Sequence, residues 1–467
     1  MRLAVYMQYS NWVNLQACSV FNMTKDFLAL ALDQDEDLFV FLPFPKGFEF
    51  KGDSTRPIDS DRVKPVEVFA LRDQYFELSA LSDWHVLFDV NEGTFTIDAV
   101  MTNRSPTSTF LKNVVGGRFG RAPIINWVTF LYSPKNVKDS MLAAQALGLA
   151  TSFNIFTMKG VYLRGLELAR RYLAPSLVKQ FTENSVVIQD GINCDLVDSI
   201  REGAVRHEQK TMIYCWRAVS SEQTKRIIRL YDTLYCTGRD VKILFGQVSG
   251  NNPRLLTTKW WERYSHLDRF KGLGREEYLK EAAKAHAFAA VFPEHTEFSK
   301  TVFELLYLGL VGVFRRGDNF VKFLPEGYPF LFSDDAQCFA ILTEICENWD
   351  SPKIQGWVGK TRQWIKANYD NKVNYSKMWG LAQEYIEKEQ ATGKNLARLT
   401  ELVRKSSEPL DAQFTFKQLA EACSANADRR TTFVDEGVFG NKNALYRVGR
   451  ELFRVLPQED LVFAKRG

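Results

Sequence analysis

Residues 185–216 read SVVIQDGINCDLVDSIREGAVRHEQKTMIYCW, and the organisation of the chain turns on them. SVVIQ is a short apolar run that reads as a strand, and it runs into DGIN, where Asp190-Gly191 marks a turn. Asp198 to Gln209 is polar and charged and suits a connector between domains. KTMIYCW, from Lys210, then starts a second series of strands and helices. SEQTKRIIRLYDTLYCTG reads as an amphipathic helix ending near Gly238, and DVKILFG as a strand that Gly246 would end. GREEYLKEAAKAHA is a helix, FAAVF a strand, SKTVFELLYLG a helix and LVGVF a strand, with mostly helical sequence over 352–390.

The half before this stretch alternates in the same way. RLAVYMQY is a buried strand, a helix follows near Met23 to Leu32, and LFVFLPF at 38–44 is the next strand. VEVFAL, HVLFDV, AVMTN and NWVTFLY continue the strands; SMLAAQALGLA and VYLRGLELARRYL are helices. Strands alternating with helices predict parallel sheets with helices on both faces. The fold class is therefore α/β, with two doubly wound, Rossmann-like domains at 1–197 and 198–390. From 391 to 467 the pattern changes to a polar break followed by two short helical segments, FKQLAEACSANA and NKNALYRVGRELFRVL, expected to form a small helical module.

Composition bounds the function. At 467 residues and 45% apolar content, the chain is long enough for two or three cores. A net charge of +4 permits anionic partners without demanding them. The seven cysteines, Cys18, Cys194, Cys215, Cys236, Cys338, Cys346 and Cys423, include no CxxC pair or zinc-like Cys/His spacing, so reduced thiols and no metal centre are expected. The N-terminus lacks a signal-peptide pattern, and Leu305 to Phe314 falls well short of a membrane span of ~20 residues. The expectation is a soluble, cytoplasmic protein with no membrane partner.

Three stretches resemble family-4-type glycosyltransferases. VVIQDGINCDLVD, at 186–198, is similar to the V-I-P-N-G-I-D strand-turn that leads into their second domain; here Gly191 is expected to allow a sharp turn. ELLYLGLVGV, at 304–313, is similar to their E-A-M-A-C-G-x-P-V-V segment, with Glu304 five residues before Gly309 as in that pattern. A second glutamate usually stands eight residues earlier, where this chain has Thr296; Glu297 stands seven residues before Glu304, a spacing that returns to nearly the same helix face. The resemblance implies that Glu304 binds the ribose hydroxyls of a nucleotide and that Glu297 or Thr296 faces the transferred sugar. The alternative for Glu304 is a solvated helix face, yet its neighbours Val302, Phe303, Leu305 and Leu306 are apolar, and a carboxylate among them needs a partner. Ser299, Lys300 and Thr301 would lie in the first turn, where free N–H groups and the helix dipole suit a diphosphate. IYCWRAVSSEQTK, at 213–225, resembles the strand-loop-helix in which an Arg and a Lys clamp the diphosphate, which implies roles for Arg217 and Lys225. The family's Gly-Arg is Trp216-Arg217 here, and the Arg–Lys interval is longer. Gly246, at the end of its strand, joins the donor-side candidates. No metal or other cofactor is required; the donor is expected to be a UDP-sugar.

The resemblance implies the GT-B architecture, with donor bound by the second domain, acceptor by the first, and anomeric configuration retained. QYSNWVNLQ replaces the family's glycine-rich loop after the first strand, and the family's mid-domain histidine is absent from NWVTFLY. Catalytic candidates are Glu297 together with His85 and Asp89, which flank the HVLFDV strand; a structural histidine is the alternative. Acceptor-side candidates are Asn103 and Arg104, at another strand end, and Arg118 and Arg121, around a basic Gly-rich loop. Phe119 beside them suits stacking on an extruded base, and the tail resembles a helix-turn-helix with Lys442, Arg447, Arg450 and Arg454 near its second helix. Basic and acidic residues nearly balance over the tail, so a helical cap is an equal reading. Divergent GT-B chains of this kind resemble bacteriophage DNA glycosyltransferases, which implies a hydroxymethylated pyrimidine in DNA as acceptor. Alternatives are a polysaccharide, lipid-linked or small-molecule acceptor, or an inactive GT-B chain that binds DNA or protein.

Overall fold

The computed structural model describes residues 1–7, 18–45, 58, 60–69, 97–103, 105–106, 108, 123–132, 137, 139–214, 221–238, 241–247, 268–271, 273–290 and 298–405. They form two parallel sheets. The first contains β1 (Arg2–Tyr6), β2 (Phe39–Pro45), β3 (Val63–Phe69), β4 (Ala99–Thr102), β5 (Ile124–Val128), β6 (Phe153–Phe156) and β7 (Ser185–Val187). Its spatial order is β3-β2-β1-β4-β5-β6-β7. The second contains β8 (Lys210–Tyr214), β9 (Val241–Gln247), β10 (Asp268–Lys271), β11 (Ala287–Ala290), β12 (Val311–Arg315) and β13 (Leu331–Phe332), in the order β10-β9-β8-β11-β12-β13. Both orders step outward from the first strand in one direction and then reverse. The reversal leaves a crevice at the carboxyl ends of β1 and β4 in one sheet, and of β8 and β11 in the other.

The strands are short apolar runs because parallel sheets are covered on both faces. Leu3 to Tyr6, Ala99 to Thr102 and Ala287 to Ala290 are buried at every position. Helices α1 (Ser19–Gln34), α2 (Asp139–Ala150), α3 (Lys159–Tyr172) and α4 (Pro175–Glu183) belong to the first half. They are followed by α5 (Cys194–Glu202), α6 (Ser221–Cys236), α7 (Arg275–Ala282), α8 (Lys300–Tyr307), α9 (Asp335–Asn348), α10 (Pro352–Tyr369) and α11 (Asn371–Lys405). Local signals start and stop them: the Asn193 side chain caps α5 by accepting from Leu196 N at 3.0 Å, and Gly309, at φ 92°, ends α8 in the left-handed region.

Four differences from the sequence reading have physical causes. Strand β6 lies between the two helical runs, where no strand was expected. Its polar Asn154 hides the pattern, yet that side chain is fully buried: it donates to Leu149 O at 2.7 Å and Ser185 Oγ at 3.1 Å, and accepts from Asn126 Nδ2 at 2.9 Å. Part of the expected connector is helix α5, which already packs with the second core, so Asp198 is helical and the passage between the halves lies before it, at residues 188–193. Gly246 does not end its strand; it is paired with Phe270, and β9 continues to Gln247. Helix α11 is continuous across residue 391 and runs to Lys405, while residues 406–467, including the helix-turn-helix candidates, lie outside the described residues.

Helix α11 lies far along the chain but packs into the first core. Tyr375, Met378, Trp379, Ala382, Tyr385 and Ile386 share a cluster with Leu3, Val5, Met101 and Trp127. Phe27 on α1 meets Trp127, Tyr375 and Trp379 edge-on, at ring-centre distances of 5.3, 5.8 and 6.0 Å. The chain therefore crosses twice between the two halves, at residues 188–193 and 369–371. Trp379→Ala should destabilise the first half by about 3–5 kcal/mol, as for other buried aromatic truncations. Denaturation followed by near-UV circular dichroism measures this, and a change below about 1 kcal/mol would show α11 to be a dispensable attachment.

Candidate functional site

The two crossings and three helix starts meet at one cluster of charges. Helix α8 follows β11, so its first turn lies at the carboxyl end of the second sheet, beside the β8/β11 crevice. Glu304, on its second turn, is 3% exposed. Its Oε1 accepts from Arg275 Nε at 2.9 Å and from Nη2 at 2.5 Å; Oε2 accepts nothing among the described residues. Arg275 is the first residue of α7, and its Nη1 donates to Asp26 Oδ2 at 2.9 Å. Asp26 belongs to α1, in the first half of the chain. The same Oδ2 receives Lys300 Nζ, from the first residue of α8, at 3.3 Å, while Oδ1 accepts from Asn193 Nδ2 at 3.3 Å.

This ion cluster is largely shielded from water, with the Asp26, Lys300 and Arg275 side chains 8%, 12% and 12% exposed. Burial acts to raise the Asp26 pKa, but Lys300 and Arg275 outweigh it and hold the carboxyl below its ordinary value. Burial disfavours the Arg275 cation, and Glu304 and Asp26 overcome that, so its pKa is raised. Asp190 lies alongside on the first crossing, accepting from Gly191 N and from Tyr375 Oη at 2.9 Å each. Here burial wins over the pull of Lys300 and those hydrogen bonds, and the pKa is raised.

A carboxyl raised by folding contributes stability that is fully present below its unfolded pKa of ~3.9 and is lost as pH rises through the folded value. Asp190→Asn removes that penalty. Its stability relative to wild type should therefore improve from pH 4 towards neutrality, as read by urea denaturation at each pH; a difference that does not vary with pH would contradict the assignment. Asp26 has the opposite sign, supporting the fold above its unfolded pKa and losing that support on acidification, but it is common to both proteins and cancels.

Gly191 does not serve the turn as expected. Its φ is not positive; instead, a Cβ there would sit 2.5 Å from Tyr369 O and 2.9 Å from Asn371 N. The glycine lets the two crossings touch, in a parallel bridge between Ile192 and Asp370. Of the donor-side candidates, Lys300 and Glu304 come together in the ion cluster. Ser299 takes the N-cap position of α8 without a side-chain cap bond, and Thr301 follows in the first turn. Lys225 lies in α6, and Gly246 inside β9. Asn103 is 4% exposed and directly follows β4, at the crevice end of the first sheet. His85, Asp89, Arg104, Arg118, Arg121, Arg217 and Glu297 lie outside the described residues.

The sequence reading missed Asp26, Arg275, Asp190 and Tyr375. Arg275 carried a signal: a cation at the first position of a helix opposes the dipole and calls for an anionic partner. Chemically, two cations beside a buried carboxylate with one unused oxygen suit a ligand that carries phosphate and vicinal hydroxyls. Among the described residues no group of three or more His, Cys, Asp or Glu could hold a metal ion, and no helix is long and apolar enough to cross a membrane.

Neither a protein-family model nor a curated protein matches this sequence. Solved structures do match. A glycosyltransferase from Rickettsia africae ESF-5 is similar with a TM-score of 0.59 at 12% identity, over 82% of this chain and 98% of that one. Sucrose-phosphate synthase from Thermosynechococcus elongatus is similar with a TM-score of 0.59 at 13% identity, over 83% and 100% of the two chains. Anabaena Alr3699/HepE, solved in complex with UDP, is similar with a TM-score of 0.57 at 11% identity, over 82% and 100%. The likeness is one of fold: this chain has the two-domain GT-B architecture.

Proposed function

We propose that this protein is a glycosyltransferase that takes a sugar from a nucleotide-sugar donor, with a UDP-sugar best suited. The observation that carries the reading is Glu304, a buried carboxylate at the β8/β11 crevice with one oxygen fixed by Arg275 and the other unengaged among the described residues. In this reading Glu304 accepts hydrogen bonds from the ribose hydroxyls. Lys300, with the N–H groups at Ser299 and Thr301, meets the diphosphate, and Arg217 and Lys225 add cations as charge develops on the leaving group. Glu297 faces the transferred sugar. The GT-B fold shared with a UDP-bound Anabaena protein supports the donor class.

In this reading the donor domain, expected at 198–390, runs from the first crossing at 188–193 to the second at 369–371; α11 returns to the acceptor domain, expected at 1–197, and leads into the tail expected at 391–467. On the acceptor side, Asn103, Arg104, Arg118 and Arg121 bind the acceptor, and His85 and Asp89 approach the reacting centre. The acceptor is the hydroxymethyl group of a modified pyrimidine in DNA, and the configuration of the sugar is retained. The basic Gly-rich loop and the helix-turn-helix-like tail in the sequence support this choice.

A label-transfer assay tests it. Purified protein is incubated with radiolabelled UDP-glucose and other nucleotide sugars, against unmodified, hydroxymethylcytosine and hydroxymethyluracil DNA. Label on hydroxymethylated DNA alone is the expected result. Donor hydrolysis without label on any DNA would move the acceptor to a carbohydrate or lipid; neither transfer nor hydrolysis with any donor would contradict the enzyme itself.

A further inference from the structure

We propose that the Asp26 carboxylate occupies the anion-binding position of the donor site, where a donor phosphate binds, so that donor entry displaces Asp26 and releases the tie between the two domains. This rests on the donor reading above and adds a residue to it that belongs to the other domain. Asp26 Oδ2 is held by two cations at once, Arg275 Nη1 at 2.9 Å and Lys300 Nζ at 3.3 Å. Both cations are the first residues of helices in the second domain, while Asp26 lies on α1 of the first. A phosphate oxygen makes the same demand on these groups as a carboxylate oxygen, namely charge-assisted donors in a shielded site.

The exchange has a direction. A diphosphate carries more negative charge than one carboxylate and brings several oxygens to the same two cations. Once it is bound, Asp26 faces an anion and is repelled. The carboxylate must leave, and with it go the Arg275 and Lys300 ties between α1 and the second domain. Arg275 keeps its two bonds to Glu304 throughout, because those use Nε and Nη2 rather than Nη1. Asp26 is then an affinity-setting residue that lowers donor affinity in the empty protein. Its effect is opposite in sign to that of a ligand-binding group.

Titration calorimetry on the full chain tests this with two probes, inorganic pyrophosphate and UDP. Asp26→Asn should bind pyrophosphate about tenfold more tightly or better than wild type, as expected when two buried cations lose an internal anion. Its thermal stability without ligand should fall, and pyrophosphate should restore more of it than in wild type. Unchanged or weaker pyrophosphate binding by a folded Asp26→Asn protein would overturn the proposal. If Asp26→Asn does not fold, Asn193→Ala decides. It removes only the 3.3 Å bond that steadies Asp26 among its contacts to that carboxylate, and should tighten pyrophosphate binding to a lesser degree, whereas no tightening would overturn the proposal. Tighter pyrophosphate binding with no UDP binding to either protein would uphold the anion exchange and refute the donor reading.

Discussion

Glu304→Gln should lower kcat/KM for the nucleotide-sugar donor by about 100-fold, chiefly through KM, because a buried, charge-paired acceptor is lost. The amide keeps the shape of the side chain but turns a charged acceptor into a neutral one. Two partners are affected. The ribose hydroxyls lose the oxygen that is unengaged in the empty site, and Arg275, 12% exposed, loses the charge that both Nε and Nη2 address. Arg275 keeps Asp26 as a counter-ion at 2.9 Å, so the second loss destabilises the fold by about 2 kcal/mol, the scale of a lost hydrogen bond to a charged group. The two effects separate in the double variant Glu304→Gln/Arg275→Met. Removing the cation that Glu304 no longer balances should recover part of the stability, since Asp26 keeps Lys300, as read by urea denaturation, while donor binding stays impaired. Recovery of both together would mean that Glu304 acts only through the fold.

Gly191→Ala should destabilise the protein by about 3 kcal/mol, at the upper end of ordinary overpacking. The added methyl meets backbone on all sides: Tyr369 O at 2.5 Å, Asn371 N at 2.9 Å and Asn371 Cα at 3.0 Å. None of these can rotate away as a side chain could. The same backbone carries the bonds from Ile192 N to Tyr369 O, at 2.8 Å, and from Asn371 N to Ile192 O, at 2.9 Å, which fasten the two crossings together. Separating them to admit a methyl also moves Asp190 and Asn193, and with them the surroundings of Asp26. Gly203→Ala is the control, since the nearest atoms to its Cβ position are 3.9 Å away; its effect should stay within about 0.5 kcal/mol. Equal melting temperatures for the two variants would contradict the role given to Gly191.

The alternation of strands and helices was legible because buried parallel strands have to be written as apolar runs, and RLAVY, AVMT and AFAA are such runs. Where a strand pays its way with side-chain hydrogen bonds instead, as at Asn154, the run is broken and β6 is hidden. Glu304 was legible for a related reason: a carboxylate inside VFELL has no solvent to face, so a partner had to exist. The identity of that partner was not legible. Arg275 lies 29 positions away and Asp26 another 249, and only the crossing of two domains brings them together. The return of α11 to the first core was hidden likewise, since its apolar positions say that the helix packs but not on which sheet. Gly191 shows a third kind of gap, in which the residue was singled out correctly and its reason lay in a chain segment some 180 residues on, at Tyr369 and Asn371.

The central claim, that Glu304 grips the ribose of a nucleotide donor, is tested most directly by calorimetric comparison of UDP with 2′,3′-dideoxyuridine diphosphate on the wild-type protein. The account predicts saturable UDP binding and affinity about tenfold weaker or worse for the dideoxy compound, because hydrogen bonds to a charged, buried acceptor are lost. Absence of UDP binding, or equal affinity for the two nucleotides, would contradict it.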